Sequence, residues 1–320
     1  MNVLCLRSGF VETTHPVRVV AMSFANPNAP EVVYASGPMR YSPWRSAAKP
    51  IQTWTCLDVM GDPELSPEAL AIASASHSAQ PDQIALVRGL LERFGVPEDA
   101  LQCGATAPLH APTRDAMIRA GEPFTDVHNC CSGKHALMLA ACLKRGWSMR
   151  DYLSPTHPLQ QAITRQVARW SGEAPGLGVD GCGLPTFYVS VMGMARAWGW
   201  MGVSADARAQ RVAQAIQRHP RLTSGDGRID LTIHARITEP YAGKIGADGV
   251  FCIMLPMRKL SIGLKVLTGD EDALAVAVVA ALQRIDPSIF AGTAPWPWAT
   301  IQNVAGRAVG QRLVAWGDGV

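Results

Sequence analysis

Charge is scarce in this chain of 320 residues: 17% of positions are Asp, Glu, Lys or Arg, against 48% hydrophobic. That balance excludes a disordered chain, which needs high charge and too few apolar groups to bury. The net charge of +3 is small, and no Lys/Arg run interleaved with aromatics occurs, so nothing points to nucleic acid. A small-molecule partner is expected instead. Long apolar runs are missing too, none reaching the ~20 residues that span a bilayer. The start, Met1-Asn2-Val3-Leu4-Cys5-Leu6-Arg7-Ser8-Gly9, lacks the basic and apolar regions of a signal peptide. No membrane partner and a cytoplasmic location are therefore expected. The eight cysteines are too few at this length for a disulfide scaffold, and adjacent Cys130 and Cys131 cannot readily serve a simple framework. They are expected as thiols, some buried and some available to a metal. No repeat and no linker divides the chain, which predicts a single domain.

What is present is a strand-rich beginning and end around a helical middle. Val17-Arg18-Val19-Val20-Ala21-Met22 and Glu31-Val32-Val33-Tyr34-Ala35 are β-branched runs either side of a loose turn, predicting a hairpin. Gly249 to Leu255 and Leu260 to Val266 predict a second. Between them Ser66-Pro67-Glu68 has the N-cap serine and first-turn proline of a helix, and the apolar spacing from Pro81 to Phe94 predicts another, stopped by Gly95. Further helices are expected over 113–120, from an N-cap at Ser132, and over 159–170, 186–200, 206–219 and 273–285. The glycine-rich Gly176 to Pro185 is expected as a tight loop, and the Pro/Trp/Gly-rich tail after Asp286 as irregular. The order predicts an α/β protein (α+β-like): a mixed or antiparallel sheet from both chain ends, flanked by helices, with a helical lobe inserted. The sheet lobe would take about residues 1–60 and 225–320, and the helical lobe about 61–224.

Three constellations carry chemistry. Ser46-Ala47-Ala48-Lys49 is an S-x-x-K spacing; on a helical turn such residues share a face, so a neutral lysine amine can take the serine proton as the serine attacks a carbonyl. Pro50 opposes a helical Lys49, and the alternative is a surface Ser and Lys. Cys131, Lys134 and His135 crowd a helix start, where the dipole favours a Cys131 thiolate. With Cys182, between two glycines, these thiols suit zinc, His135 being the ordinary completion and Lys134 a rare one. The alternative is buried, unreactive cysteines. Lys244 in Tyr241-Ala242-Gly243-Lys244-Ile245-Gly246, and Ser76-His77-Ser78 after a helix, are polar groups able to approach a substrate, or else a turn lysine and a satisfied helix end.

Together Arg45-Ser46-Ala47-Ala48-Lys49-Pro50, Ala75-Ser76-His77-Ser78, Cys131-Ser132-Gly133-Lys134-His135, Asp180-Gly181-Cys182-Gly183-Leu184-Pro185 and Gly243 to Val250 resemble, in order, the motifs of the asparaginase II family, the Rhizobium etli type of L-asparaginase. The resemblance runs from residue 1 to roughly residue 285. It implies a fold related to serine β-lactamases and glutaminases, and hydrolysis of L-asparagine. It implies two Ser-Lys pairs, Ser46 with Lys49 and Ser78 with Lys244. It also implies a zinc held by Cys131, Lys134 and Cys182, in place of His135 as third ligand. Arg45, His77, His135 and Asp180 are then substrate-binding or supporting groups, and a homodimer is expected. Where the family tends to have Ser-Gly-Glu after the histidine, this chain has Ser78-Ala79-Gln80. The other function classes are a non-catalytic zinc- or amino-acid-binding protein and a Ser-Lys amidase for another amide such as glutamine.

Overall fold

The computed structural model describes residues 1–292 and 294–317. In chain order the strands are β1 (Asn2–Arg7), β2 (Phe10–Ser23), β3 (Glu31–Ser36), β4 (Ser42–Pro43), β5 (Gly176–Val179), β6 (Pro185–Val189), β7 (Ala242–Gly246), β8 (Val250–Leu255), β9 (Leu260–Val266), β10 (Thr300–Gln302) and β11 (Ala308–Ala315). The α-helices are α1 (Lys49–Val59), α2 (Pro67–Ala73), α3 (Pro81–Phe94), α4 (Ala111–Ala120), α5 (Ser132–Arg145), α6 (Pro158–Ser171), α7 (Val191–Val203), α8 (Ala207–Arg218), α9 (Pro220–Thr223), α10 (Ile229–His234) and α11 (Glu271–Ile285). Among the described residues no helix is long and apolar enough to cross a membrane. Two compact units divide the chain: Met1–Ala47 with Val189–Val203 and Thr232–Val320, and Ala48–Tyr188 with Ser204–Leu231.

The first unit is an antiparallel sheet in the order β10-β11-β1-β2-β9-β8-β7, with β3 also on β2. Both expected hairpins form, β2 with β3 and β8 with β9. Strand alternation sends Val20 and Met22 to one face, where they pack with Val191 and Ala195 of α7. Val19 and Ala21 point the other way, lining a cavity with Ala281, Arg284 and Ile285 from the end of α11. A sheet buried on both faces explains the continuous apolar run of β8, all six residues of which are buried. The tail departs from expectation. It forms β10 and β11, and β11 pairs with β1 from Asn2↔Ala315 to Arg7↔Gly310. Weak local β propensity is overridden there by an open sheet edge at the far end of the chain.

The second unit is helical. Ser66 caps α2, accepting from the Ala69 N–H at 3.2 Å, as the sequence predicts. At its centre α5 is buried from Ser132 to Cys142 and packs on α1, α2, α3 and α6. Ser132 is not its N-cap, however. Cys131 holds that position, and the Ser132 hydroxyl donates to the Val127 carbonyl at 2.8 Å. The glycine-rich segment is also more ordered than a loop: β5 and β6 pair as a hairpin, its turn closed by Asp180 N–H to the Leu184 carbonyl at 2.8 Å. Because residues 185–189 are committed to that strand, the following helix begins at Val191 rather than 186.

Candidate active site

Within the sheet unit, the turn that carries Ser46 is fixed from three sides. Trp44, fully buried, donates its indole N–H to Cys252 Sγ of β8 at 3.3 Å, and Trp198 of α7 donates to the Ala47 carbonyl at 3.0 Å. On the third side lies Gly246 of β7, where a Cβ would stand 2.9 Å from the Trp44 carbonyl oxygen and 3.1 Å from the Ala47 nitrogen. Only glycine permits that approach. Residues two apart on a strand share a face, so Lys244 leaves β7 on the side that meets the Ser46 turn. Lys244 is fully buried and donates to the Ile245 carbonyl at 2.8 Å. Arg45, at φ 53°, opens the turn in the left-handed region and pairs with Asp248.

Lys49 is the first residue of α1, and Pro50 stands in the first turn, where a missing N–H leaves no intrahelical bond unmade. Lys49 is helical all the same, so the bias that the Pro50 ring imposes against α conformation in the residue before it is overridden here. Lys49 is fully buried within the helical unit, and its Nζ donates to the Ala75 carbonyl, to Ser76 Oγ at 3.0 Å and to the Cys130 carbonyl at 3.4 Å. Sequence reasoning listed Ser78 but passed over Ser76 as a partner for a lysine. In an extended segment these two serines are two residues apart and share a side, which is the signal that could have found it.

The bonds around His77 fix its tautomer. Ser132 gives its proton to Val127, so its oxygen must accept from His77 Nε2 at 2.8 Å, and His77 Nδ1 accepts the Ala79 N–H at 3.1 Å. A second ring proton would face that N–H. Burial, and then the Lys49 charge, push the His77 imidazole down to about 3, which keeps it neutral. Ser78 is buried and donates to the Ser224 carbonyl at 3.1 Å, while its own carbonyl accepts from His110 at 2.9 Å.

Lys134, at the start of α5 with Cys131, is brought beside Cys182, 48 positions further along the chain. Lys134 Nζ lies 3.4 Å from Cys182 Sγ, and all three residues are buried. Hydrogen bonds from Cys130 and Cys182 hold the Cys131 thiol well below its ordinary value despite burial, with Lys49 and Lys134 adding positive charge. The Cys182 thiol, donating to Cys131, moves up. Burial alone would lower Lys134, but the Cys182 and Cys131 sulfurs overcome it and raise the amine. His135 shares a 2.7 Å hydrogen bond with the Tyr152 hydroxyl through Nδ1, and its Nε2 is buried with no hydrogen-bond partner. Asp180 accepts from the Gly181 N–H at 2.8 Å at the hairpin turn and adds negative charge near Lys134. Among the described residues no group of three or more His, Cys, Asp and Glu side chains is placed to hold a metal. Metal binding here depends on the lysine. Two sulfurs, one favoured as thiolate, against an amine make a donor set that zinc accepts once Lys134 gives up its proton.

A search of curated proteins finds no match. Among solved structures, a β-lactamase from Mycobacterium bovis is similar over 83% of this chain and 94% of its own, at 15% identity and a TM-score of 0.45. A class C β-lactamase shares 13% identity over 87% of this chain and 92% of its own, with a TM-score of 0.42. A D-alanine carboxypeptidase from Burkholderia cenocepacia shares 10% over 83% and 93%, with a TM-score of 0.36. These scores are too low to transfer any property to this chain. The model of the L-asparaginase II family, by contrast, matches residues 3–313, reaching into the tail strand β11. With that match over nearly its whole length, the chain belongs to the L-asparaginase II family.

Proposed function

We propose that the protein hydrolyses the side-chain amide of L-asparagine to aspartate and ammonia, with Ser46 as nucleophile and Lys49 as its base. The observation that supports this most is the setting of Lys49. It is a fully buried amine three residues from Ser46, with Ser76 and two carbonyl oxygens as hydrogen-bond partners and no carboxylate among those described. After losing one of its three protons, the Lys49 amine takes the Ser46 proton while Oγ adds to the amide carbon. It returns that proton to the leaving nitrogen, ammonia departs, and water hydrolyses the acyl-serine with Lys49 again as base. Ser78 with Lys244 is the second Ser-Lys pair of this proposal. Zinc would be held by Cys131, Cys182 and Lys134 and would supply a Lewis acid to orient substrate. A homodimer in the cytoplasm belongs to the same proposal.

A coupled ammonia assay on asparagine and glutamine, with and without chelator, tests it. Release from asparagine that falls at least about a thousandfold in S46A supports the assignment. Release as fast as wild type in S46A would eliminate Ser46. Release from glutamine alone would move the substrate to that amide, and none from either would favour a binding protein.

A further inference from the structure

Two buried glutamines staple the 221–226 segment to the residues around Ser78. Gln83 accepts the backbone N–H groups of Ser78 and Gln80 through Oε1, each at 3.0 Å, and donates through Nε2 to the Arg221 carbonyl at 2.9 Å. Gln80, one residue before α3, grips Asp226 twice. Its Nε2 donates to the carboxylate at 2.7 Å and its Oε1 accepts the Asp226 N–H at 3.0 Å. Between these two grips the Ser224 carbonyl receives the Ser78 hydroxyl proton. Gly225 follows at φ +138, and a Cβ there would sit 2.2 Å from Ser78 Oγ, so no other residue lets the segment lie this close.

An amide at position 80 is matched to both groups of Asp226. A carboxylate could still accept the N–H, but it would face the Asp226 carboxylate at hydrogen-bond distance with no proton between them. The match has a consequence for Ser78. With its single proton held by Ser224, Ser78 Oγ can only accept from any further partner.

We infer that Gln80, acting through Asp226, is a positioning residue that holds the Ser224 carbonyl in place to take the Ser78 proton, fixing Ser78 as a hydrogen-bond acceptor during catalysis. This rests on the amidase reading above. The test compares Q80E, D226A and the swapped pair Q80E/D226N by crystallography and by asparagine kinetics. In Q80E the Ser78–Ser224 bond is expected to open and kcat to fall about tenfold with little change in KM, as suits a lost hydrogen bond to a charged group. The swapped pair, which restores donor and acceptor in reverse, recovers both. D226A, altering an exposed residue, weakens both in part and serves if Q80E does not fold. A Ser78–Ser224 bond unchanged in Q80E or D226A overturns the inference, as does an opened bond with unchanged kcat. If the wild type releases no ammonia the amidase reading falls, while the crystal structures still decide whether Gln80 sets the Ser78 bond.

Discussion

The Nζ of Lys49 donates to the Oγ of Ser76 at 3.0 Å, so the lysine of the S-x-x-K motif is tied to a serine that lies 27 positions further along the chain. The same amine reaches the carbonyl of Cys130, the residue before the proposed zinc ligand Cys131.

That bond separates two serines by experiment. K49M is expected to lower kcat by two to four orders of magnitude, the usual worth of a positioned base, and S76A by about tenfold, the loss of one hydrogen bond to a charged group. Ammonia release measured at saturating asparagine decides. A loss in S76A as deep as that in S46A would make Ser76 a member of the reacting set.

Removing a zinc ligand should empty the metal site without unfolding the protein. Native mass spectrometry on C131S and C182S is expected to show loss of a bound zinc that wild type and C142S retain, Cys142 being buried in α5 with its thiol pushed up to about 12 by burial. Zinc kept in both ligand variants would refute the assignment.

His77 predicts acid sensitivity. Its folded value, about 3, lies below the unfolded 6.5, so the unfolded chain binds a proton that the folded one refuses. The stabilisation is complete above pH 6.5 and is lost as pH falls toward 3, amounting to about 2 to 3 kcal/mol by pH ~4.5. Urea unfolding at both ends of that range should show the loss in wild type and a shallower one in H77Q. Equal slopes would mean that His77 is not the group refusing the proton.

Adding one methyl group at Gly246 should move the Ser46 turn. G246A places a Cβ 2.9 Å from the Trp44 carbonyl oxygen, and overpacking of this kind costs about 1 to 3 kcal/mol. Thermal unfolding should register that cost, and kcat should fall more than KM rises. Full activity in a stably folded G246A would show that the turn does not need this contact.

Much of the architecture was legible because local chemistry and tertiary outcome agree. The β-branched pairs at 17–22 with 31–35 and at 249–255 with 260–266 became hairpins, and Ser66-Pro67 opened a helix, each from signals within a few residues. The motifs around Ser46, Ser76-His77-Ser78, Cys131 and Cys182 were visible as chemistry for the same reason. What the sequence could not decide was pairing over distance. The Pro/Trp-rich tail reads as irregular until β1 offers it an edge, and residues 186–189 read as helix until β5 claims them. Likewise nothing near Lys49 names Ser76, and nothing near Gln80 names Asp226, 146 positions away. Local spacing determined which groups could react. Only the tertiary structure decided which oxygen each buried donor meets, because a donor cut off from water must find its partner wherever the packed chain puts one.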